Sequence, residues 1–189
     1  MSIDLSAMNW LNEPTHWSFN DGSLHVLTDA STDFWQITHY GFARDNGHFC
    51  YGVQAGDFEA GVCITGQYRS RYDQAGLMVR VDAQHWIKTG IEYVDKIQQA
   101  SAVVTRTFSD WSVRPYQLAP ERIWLKLTRQ RDFVEINIST DGQTFDLLRL
   151  AYFPPDIPLQ VGPMCASPDG TGFEVLFTNF YTKPLLNHE

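Results

Sequence analysis

The segment from Tyr72 to Val94, YDQAGLMVRVDAQHWIKTGIEYV, reads as two β-strands joined by a short turn. Apolar and β-branched residues recur at every second position, a period that belongs to strands and not to helices. With Asp82-Ala83-Gln84 as the turn, Val79 faces Ile87, Leu77 faces Thr89 and Ala75 faces Ile91, so one side of the hairpin is nearly apolar. The other side pairs Arg80 with Trp86, Met78 with Lys88, Gly76 with Gly90 and Gln74 with Glu92. A slip of one residue sets Lys88 beside Val79 and mixes the two sides, which disfavours it. The apolar side is assigned to a core.

The charged side needs its own explanation. Lys88 and Glu92 are four residues apart on one strand, or about 13 Å at the usual rise, too far to pair directly. An unpaired buried charge costs several kcal/mol, so this face is expected to open to water, a ligand or a loop. Gly76 opposite Gly90 removes two side chains at its centre and leaves a shallow floor between Gln74, Met78, Lys88 and Glu92. Trp86 is expected to stand beside the floor as an aromatic wall, held by a cation-π contact with Arg80. Two registers are open for the next strand, SAVVTRT. One puts Arg106 opposite Lys88, which like-charge repulsion disfavours, and the other presents Ser101, Val103 and Thr105 to the polar face.

The same short pattern recurs outward from the hairpin, in HVLT, FWQITHYG, HFCYGVQA, FEAGVCITG, ASAVVTRTF, RIWLKLTRQ, FVEINIST, FDLLRLAYF, LQVGPMCAS and FEVLFTNFYT. Asp21-Gly22, Asn46-Gly47, Asp141-Gly142 and Asp169-Gly170 supply turns between runs. Strands of this length and spacing predict an all-β fold, a two-sheet antiparallel jelly-roll sandwich, as a single domain over residues 1–189.

The net charge of -8 argues against a nucleic-acid partner, whose phosphates draw on clustered Lys and Arg, and against anionic membrane surfaces. No apolar run is long enough to span a bilayer. The first residues, MSIDLSAMNWLNEP, lack a basic segment followed by an apolar one, so a cytoplasmic location is expected. Cys50, Cys63 and Cys165 are odd in number and widely spaced, which fits reduced, buried thiols better than a disulfide framework or a zinc motif. Phosphate loops and nucleophile elbows are absent, and no cofactor or metal is expected. SPDGTG, Ser167 to Gly172, lacks the acidic density of a Ca²⁺ loop and reads as a turn.

A face of mixed charge, amide and aromatic groups suits a carbohydrate or sugar-like small molecule, whose hydroxyls take hydrogen bonds and whose C–H surfaces stack on rings. Gln74, Arg80, Lys88 and Glu92 are the candidate hydrogen-bonding residues and Trp86 the stacking one, with Trp35 and Trp111 as loop walls. The plainer alternative is a solvated polar sheet face shielded by Trp86. Histidines 16, 25, 39, 48, 85 and 188 are dispersed; His39 is a further candidate for the cleft, although a semi-buried structural role is favoured. An enzyme reading takes Glu92 with Asp110 or Asp33 as paired carboxylates, separated by about 5–5.5 Å for retention or about 6.5–9.5 Å for inversion.

TDFWQITHYGFARDNGHF, DFEAGVCITGQYRSRYDQAGLMVRVDAQHWIKTGIEYV, SAVVTRTFSDWSV and VGPMCASPDGTGFEV, in that order, resemble the DUF1349 family, and the similarity covers nearly the whole chain. The resemblance implies a concanavalin A-like lectin/glucanase sandwich, more distantly similar to the β-sandwich appended to some β-xylosidases. The glucanases of that fold carry acids as Glu-x-Asp-x-Glu on one strand, a spacing missing here. Fungal members named for the regulation of enolase imply a protein partner in carbon metabolism. The fold hosts lectins, hydrolases and interaction modules, so it does not by itself carry an activity. Together these lines favour non-catalytic binding of a sugar-like ligand, with a glycosidase or a regulatory interaction module as alternatives.

Overall fold

Runs that alternate apolar and polar residues can each bury only one face, and two sheets stacked face to face satisfy that requirement. The computed structural model describes residues 8–116 and 119–185 and has this arrangement; His188 lies outside the described residues. In chain order the strands are β1 (Asn9–Leu11), β2 (His16–Asn20), β3 (Ser23–Leu27), β4 (Phe34–Gln36), β5 (Ala43–Asp45), β6 (His48–Gln54), β7 (Phe58–Gly66), β8 (Gln74–Asp82), β9 (His85–Val94), β10 (Ile97–Arg106), β11 (Phe108–Tyr116), β12 (Ile123–Gln130), β13 (Phe133–Ser139), β14 (Asp146–Tyr152), β15 (Leu159–Ala166) and β16 (Glu174–Pro184). One sheet has the order β1-β6-β15-β8-β9-β10-β11 and the other β14-β13-β12-β7-β16-β3-β2, while β4 and β5 form a separate ribbon. All these pairings are antiparallel.

The β8–β9 register is the one expected from the sequence, from Gln74 opposite Glu92 to Arg80 opposite Trp86. Its turn differs. Asp82 pairs with His85, so Val81 is bulged and the turn shortens to Ala83-Gln84. The Asp82 carboxylate accepts the Gln84 backbone N–H at 2.8 Å, an Asx-type closure that competes well with a longer turn. On β10, Ser101 lies opposite Gly90, Val103 opposite Lys88 and Thr105 opposite Trp86, the register without the like-charge clash.

Strands β1, β2, β5 and β11 were not foreseen. β11 is an edge strand whose Ser109, Asp110, Ser112 and Arg114 obscure any apolar period. Conversely, FWQITHYG is strand only over Phe34–Gln36. Ile37, His39 and Gly41, with φ of 61°, 64° and 72°, then turn the chain back towards β5.

The core between the sheets takes Ala75, Leu77, Val79, Ile87 and Ile91 from the β8–β9 hairpin and meets Val62, Ile64, Leu125, Ile136 and Phe177 of the opposite sheet. Along β12, Ile123, Leu125 and Leu127 are buried while Trp124, Lys126 and Thr128 are only half-buried, the alternation of a one-sided sheet. β9 breaks that rule, because Trp86 through Glu92 are buried without interruption. The reason is a second apolar cluster on the far face of the first sheet, built from Phe34, Trp35, Phe49, Met78, Trp86, Val103 and Met164. The segment bearing the β4–β5 ribbon lies over this face and makes it an interior.

Gly76 and Gly90 sit at the centre of the covered strand pair. A Cβ added at Gly76 would lie 1.7 Å from the Thr89 carbonyl oxygen, and one at Gly90 would lie 2.0 Å from that of Ala75. These glycines permit a close backbone approach as well as a low floor. All three cysteines are free and buried, and burial pushes the Cys50 thiol up to about 12.

Candidate functional site

The covering segment is fastened by two charges of the hairpin's polar side, Lys88 and Arg80. Lys88 Nζ donates to the Phe34 carbonyl at 2.7 Å and to Gln74 Oε1 at 2.6 Å, and lies 3.5 Å from Asp33 Oδ1. Arg80 makes a two-pronged ion pair with Asp45, both N···O distances being 2.7 Å. This geometry is among the stronger ones available to a carboxylate. Gln36 adds a side-chain bond to the Ala83 carbonyl at 2.9 Å, and its backbone N–H donates to Ser109 Oγ at 2.9 Å.

Two expectations about this face are thereby corrected. Arg80 is taken by Asp45, so it does not hold Trp86 by a cation-π contact; that contact comes from Lys88, whose Nζ is 5.7 Å from the Trp86 ring centre. Nor is Trp86 a ligand-stacking wall. It is fully buried, packs edge-on against Phe34 at 6.3 Å and donates its indole N–H to the Ala83 carbonyl at 3.1 Å. The hairpin's polar side is accordingly no open, solvated surface, except where the cover ends.

There a cleft of about 280 Å³ opens. Its floor is Asp33, Gln74, Lys88 and Glu92, each less than 8% exposed. Trp35, Tyr40, Phe42, Tyr72 and Trp111 form aromatic walls, and Arg44, Arg71 and Asp169 reach its edge. Trp35 is pinned by its indole N–H to the Thr38 carbonyl at 2.9 Å, and Trp111 by its indole N–H to Ser101 Oγ at 3.1 Å. The Tyr40 and Tyr72 hydroxyls meet at 2.8 Å, joining the ribbon to the loop before β8. Burial, followed by that hydrogen bond, pushes the Tyr72 phenol up to about 12. Tyr72 itself has φ of 68°, a left-handed backbone that strains a non-glycine residue. Such residues gather at ligand clamps more often than elsewhere.

The cleft continues into an outer groove of about 740 Å³ that shares Trp35, Tyr40, Arg71, Tyr72 and Trp111 with it. His39 and Asp110 line this groove and not the inner cleft. His39 is exposed and stacks edge-on against Tyr40 at 4.7 Å, so the semi-buried role expected for it is not realised. Asp110 is exposed and ion-paired with Arg149 at 3.2 Å. Of the two proposed partners for Glu92, Asp33 therefore shares its cleft and Asp110 does not. Ser167 to Gly172 makes a wall through Pro168 and Asp169, with Ser167 Oγ donating to Asp73 at 2.6 Å. Among the described residues no cluster of three or more His, Cys, Asp or Glu could hold a metal ion. A separate groove of about 550 Å³ on the second sheet, lined by His16, Trp17, His25 and Glu174, has no buried charged group.

Tyr40, Phe42, Arg44, Arg71 and Tyr72 were missed as cleft residues. They lie in THYGFARD and YRSRYD, where density of aromatic and arginine residues beside turns was the available signal.

Glu92 is held by Ser101 Oγ, which donates to Oε2 at 2.8 Å. Burial raises its pKa above 4.5, overcoming the lowering by Lys88 and by the Ser101 hydrogen bond; Asp33 adds to the rise. A raised native pKa means that the native state binds the proton more tightly than the unfolded one. The resulting stability is present below the ordinary glutamate range and is lost as pH rises through the raised value. Glu92→Gln is expected to flatten this part of the stability profile. Urea unfolding at stepped pH checks it, and an unchanged slope in the variant would count against a buried, protonatable Glu92.

The comparisons with known proteins agree with this architecture. The chain is 43% identical over 186 residues to Regulation of enolase protein 1 of Saccharomyces cerevisiae, covering 97% of this chain and 93% of that one. A crystal structure of a functionally unknown protein from Saccharomyces cerevisiae superposes with a TM-score of 0.94 at 40% identity, covering 98% of this chain and all of that one. More remote in sequence is xylan beta-1,4-xylosidase from Bacillus halodurans C-125, with a TM-score of 0.72 at 16% identity; the match covers 96% of this chain and 38% of the enzyme. The carbohydrate binding module CBM66 from Bacillus subtilis gives a TM-score of 0.57 at 15% identity, with 94% of this chain and 97% of the module covered. These last two show a shared β-sandwich and nothing finer. Residues 10–185 match the family model described as Protein of unknown function (DUF1349), and with the yeast relative this places the chain in the DUF1349 family.

Proposed function

We propose that the cleft binds a small sugar-like molecule without transforming it. The observation that carries this reading is the convergence of Asp33, Gln74, Lys88 and Glu92, all buried, at the base of an aromatic-walled opening. Hydrogen bonds within the protein offset their lost hydration and hold them in fixed positions, so a ligand's hydroxyls would meet a pre-organised floor. At about 280 Å³ the cleft is near the lower end, roughly 300 Å³, of small-molecule sites, which favours one ring over a polymer. The aromatic residues offer faces for C–H stacking, and the floor offers both donors and acceptors. The similarity in fold to a carbohydrate binding module supports the ligand class.

Thermal-shift and calorimetric screens of mono- and oligosaccharides test this. A ligand should be found, and Trp111→Ala should weaken it about tenfold, the size of a lost aromatic contact of ~1.5 kcal/mol. A complete absence of sugar binding, or binding untouched by changes in the cleft, would defeat the proposal.

A glycosidase reading retains one favourable observation, since Glu92 has the raised pKa of a general acid and shares its cleft with Asp33. Asp33 Oδ1 is engaged by the Phe34 backbone N–H, the Gln74 amide and Lys88, which leaves it poorly placed to attack. Turnover of aryl glycosides, abolished by Glu92→Gln, would reinstate catalysis. The name of the yeast relative favours a protein partner in addition to a small ligand, and enolase is the first candidate for pull-down.

A further inference from the structure

We infer that the ligand of this cleft carries an anionic group, phosphate or carboxylate, held at the mouth by Arg44 and Arg71. The inference rests on the sugar-binding proposal and adds the charge class of the ligand to it.

Both arginines are exposed and line the cleft. Among the described residues neither forms an ion pair or a side-chain hydrogen bond, although the chain has 22 acidic residues to 14 basic ones. Arg80, Arg114, Arg122 and Arg149, by contrast, each lie within 4.0 Å of a carboxylate. What Arg44 and Arg71 do instead is lean on aromatic rings of the cleft itself. Arg44 Cζ is 4.8 Å from the Phe42 ring centre, and Arg71 Cζ is 4.6 Å from that of Tyr72. Contact with a ring face restrains a guanidinium while leaving N–H donors for a partner. Arginine donors of that kind match the paired oxygens of carboxylate and phosphate.

The charge balance points the same way. Lys88 on the floor is offset by Asp33 and by two neutral acceptors, so its charge is already answered. Burial raises the Glu92 pKa, which works against a charge on the floor that would repel an anionic ligand. Asp169 is the single opposing carboxylate at the edge, and it pairs with neither arginine. A concave site edged by two unanswered cations, on a protein of net charge -8, concentrates anions locally in spite of the overall repulsion.

Calorimetry on the full chain decides the matter, using glucose, xylose and fructose, their phosphate esters, glucuronate, and inorganic phosphate as probes. At least one charged sugar should bind about tenfold or more tightly than its neutral parent, with affinity falling as salt is raised. Preference for the phosphate ester or for the uronate distinguishes the two anions. Arg44→Ala and Arg71→Ala should each lower charged-sugar affinity about tenfold and neutral-sugar affinity by much less. Both side chains are exposed, so melting should match wild type. If neutral sugars bind as tightly as charged ones, or the double variant keeps the preference, the anion inference falls and the sugar reading stands. If inorganic phosphate binds as tightly as the esters, the anion site stands and the sugar reading falls. Absence of binding by every probe overturns both.

Discussion

Replacing Trp86 with alanine is expected to lower the unfolding free energy by ~3–5 kcal/mol, the usual cost of emptying a buried aromatic site. For a chain of 189 residues that corresponds to a fall in melting temperature of roughly 6–20 °C. The indole is fully buried among Phe34, Phe49, Met78, Val103 and Met164, so its removal opens a cavity between the first sheet and its cover. It also removes one of the two hydrogen bonds that the Ala83 carbonyl accepts, leaving the one from Gln36, and deprives Lys88 of a ring contact. Trp86→Phe should recover a good part of the loss, because it refills most of the volume without restoring the N–H. Urea unfolding together with ligand titration makes the comparison. Were Trp86→Ala to leave stability intact and abolish binding, the residue would belong to the ligand and not to the second core.

Lys88→Met is expected to cost a similar ~3–5 kcal/mol, for an electrostatic reason. The side chains of Lys88 and Asp33 are 6% and 11% exposed, so methionine would leave a carboxylate with little water and no countercharge. The Phe34 carbonyl and Gln74 Oε1 would lose their donor as well. Adding Asp33→Asn should restore most of the lost stability, since it is the uncompensated charge that is costly and not the absence of a salt bridge. Lys88→Arg should not rescue fully, because a planar guanidinium cannot reproduce the position of one compact ammonium. Denaturation of the four proteins gives the coupling energy. A double variant as unstable as Lys88→Met would mean that Asp33 is not the group left exposed to the penalty. Ligand affinity should be lost in every Lys88 variant, which separates the floor's two duties: fastening the cover and facing the cleft.

Much of this site was legible, although its surroundings were not. Gln74, Lys88 and Glu92 share a face because the β8–β9 register puts them there, and Trp35, Trp111 and Asp33 line the same cleft, the rings as walls and Asp33 on the floor. Trp86 was misassigned because its own face looked exposed when only the hairpin was considered. Nothing in the sequence says that Phe34, 52 residues earlier and on a run broken by Ile37, His39 and Gly41, comes back to bury it. Arg80 was misassigned for the same reason. A neighbouring ring was the only visible partner, whereas Asp45 arrives from 35 residues away.

The pattern of residues along the chain was enough to place most of the longer strands, the β8–β9 pairing, the face of that hairpin that turns inward and the polar character of the other. These follow from the two-residue period of a strand, which couples side-chain chemistry to direction within a few positions. The tertiary structure alone decided that the polar face would be covered and that only its Glu92 end would remain open as a cleft. That outcome depends on a loop with no period of its own, and on acceptors such as the Phe34 carbonyl. Every residue carries a carbonyl, so no residue type announces the one that will meet Lys88.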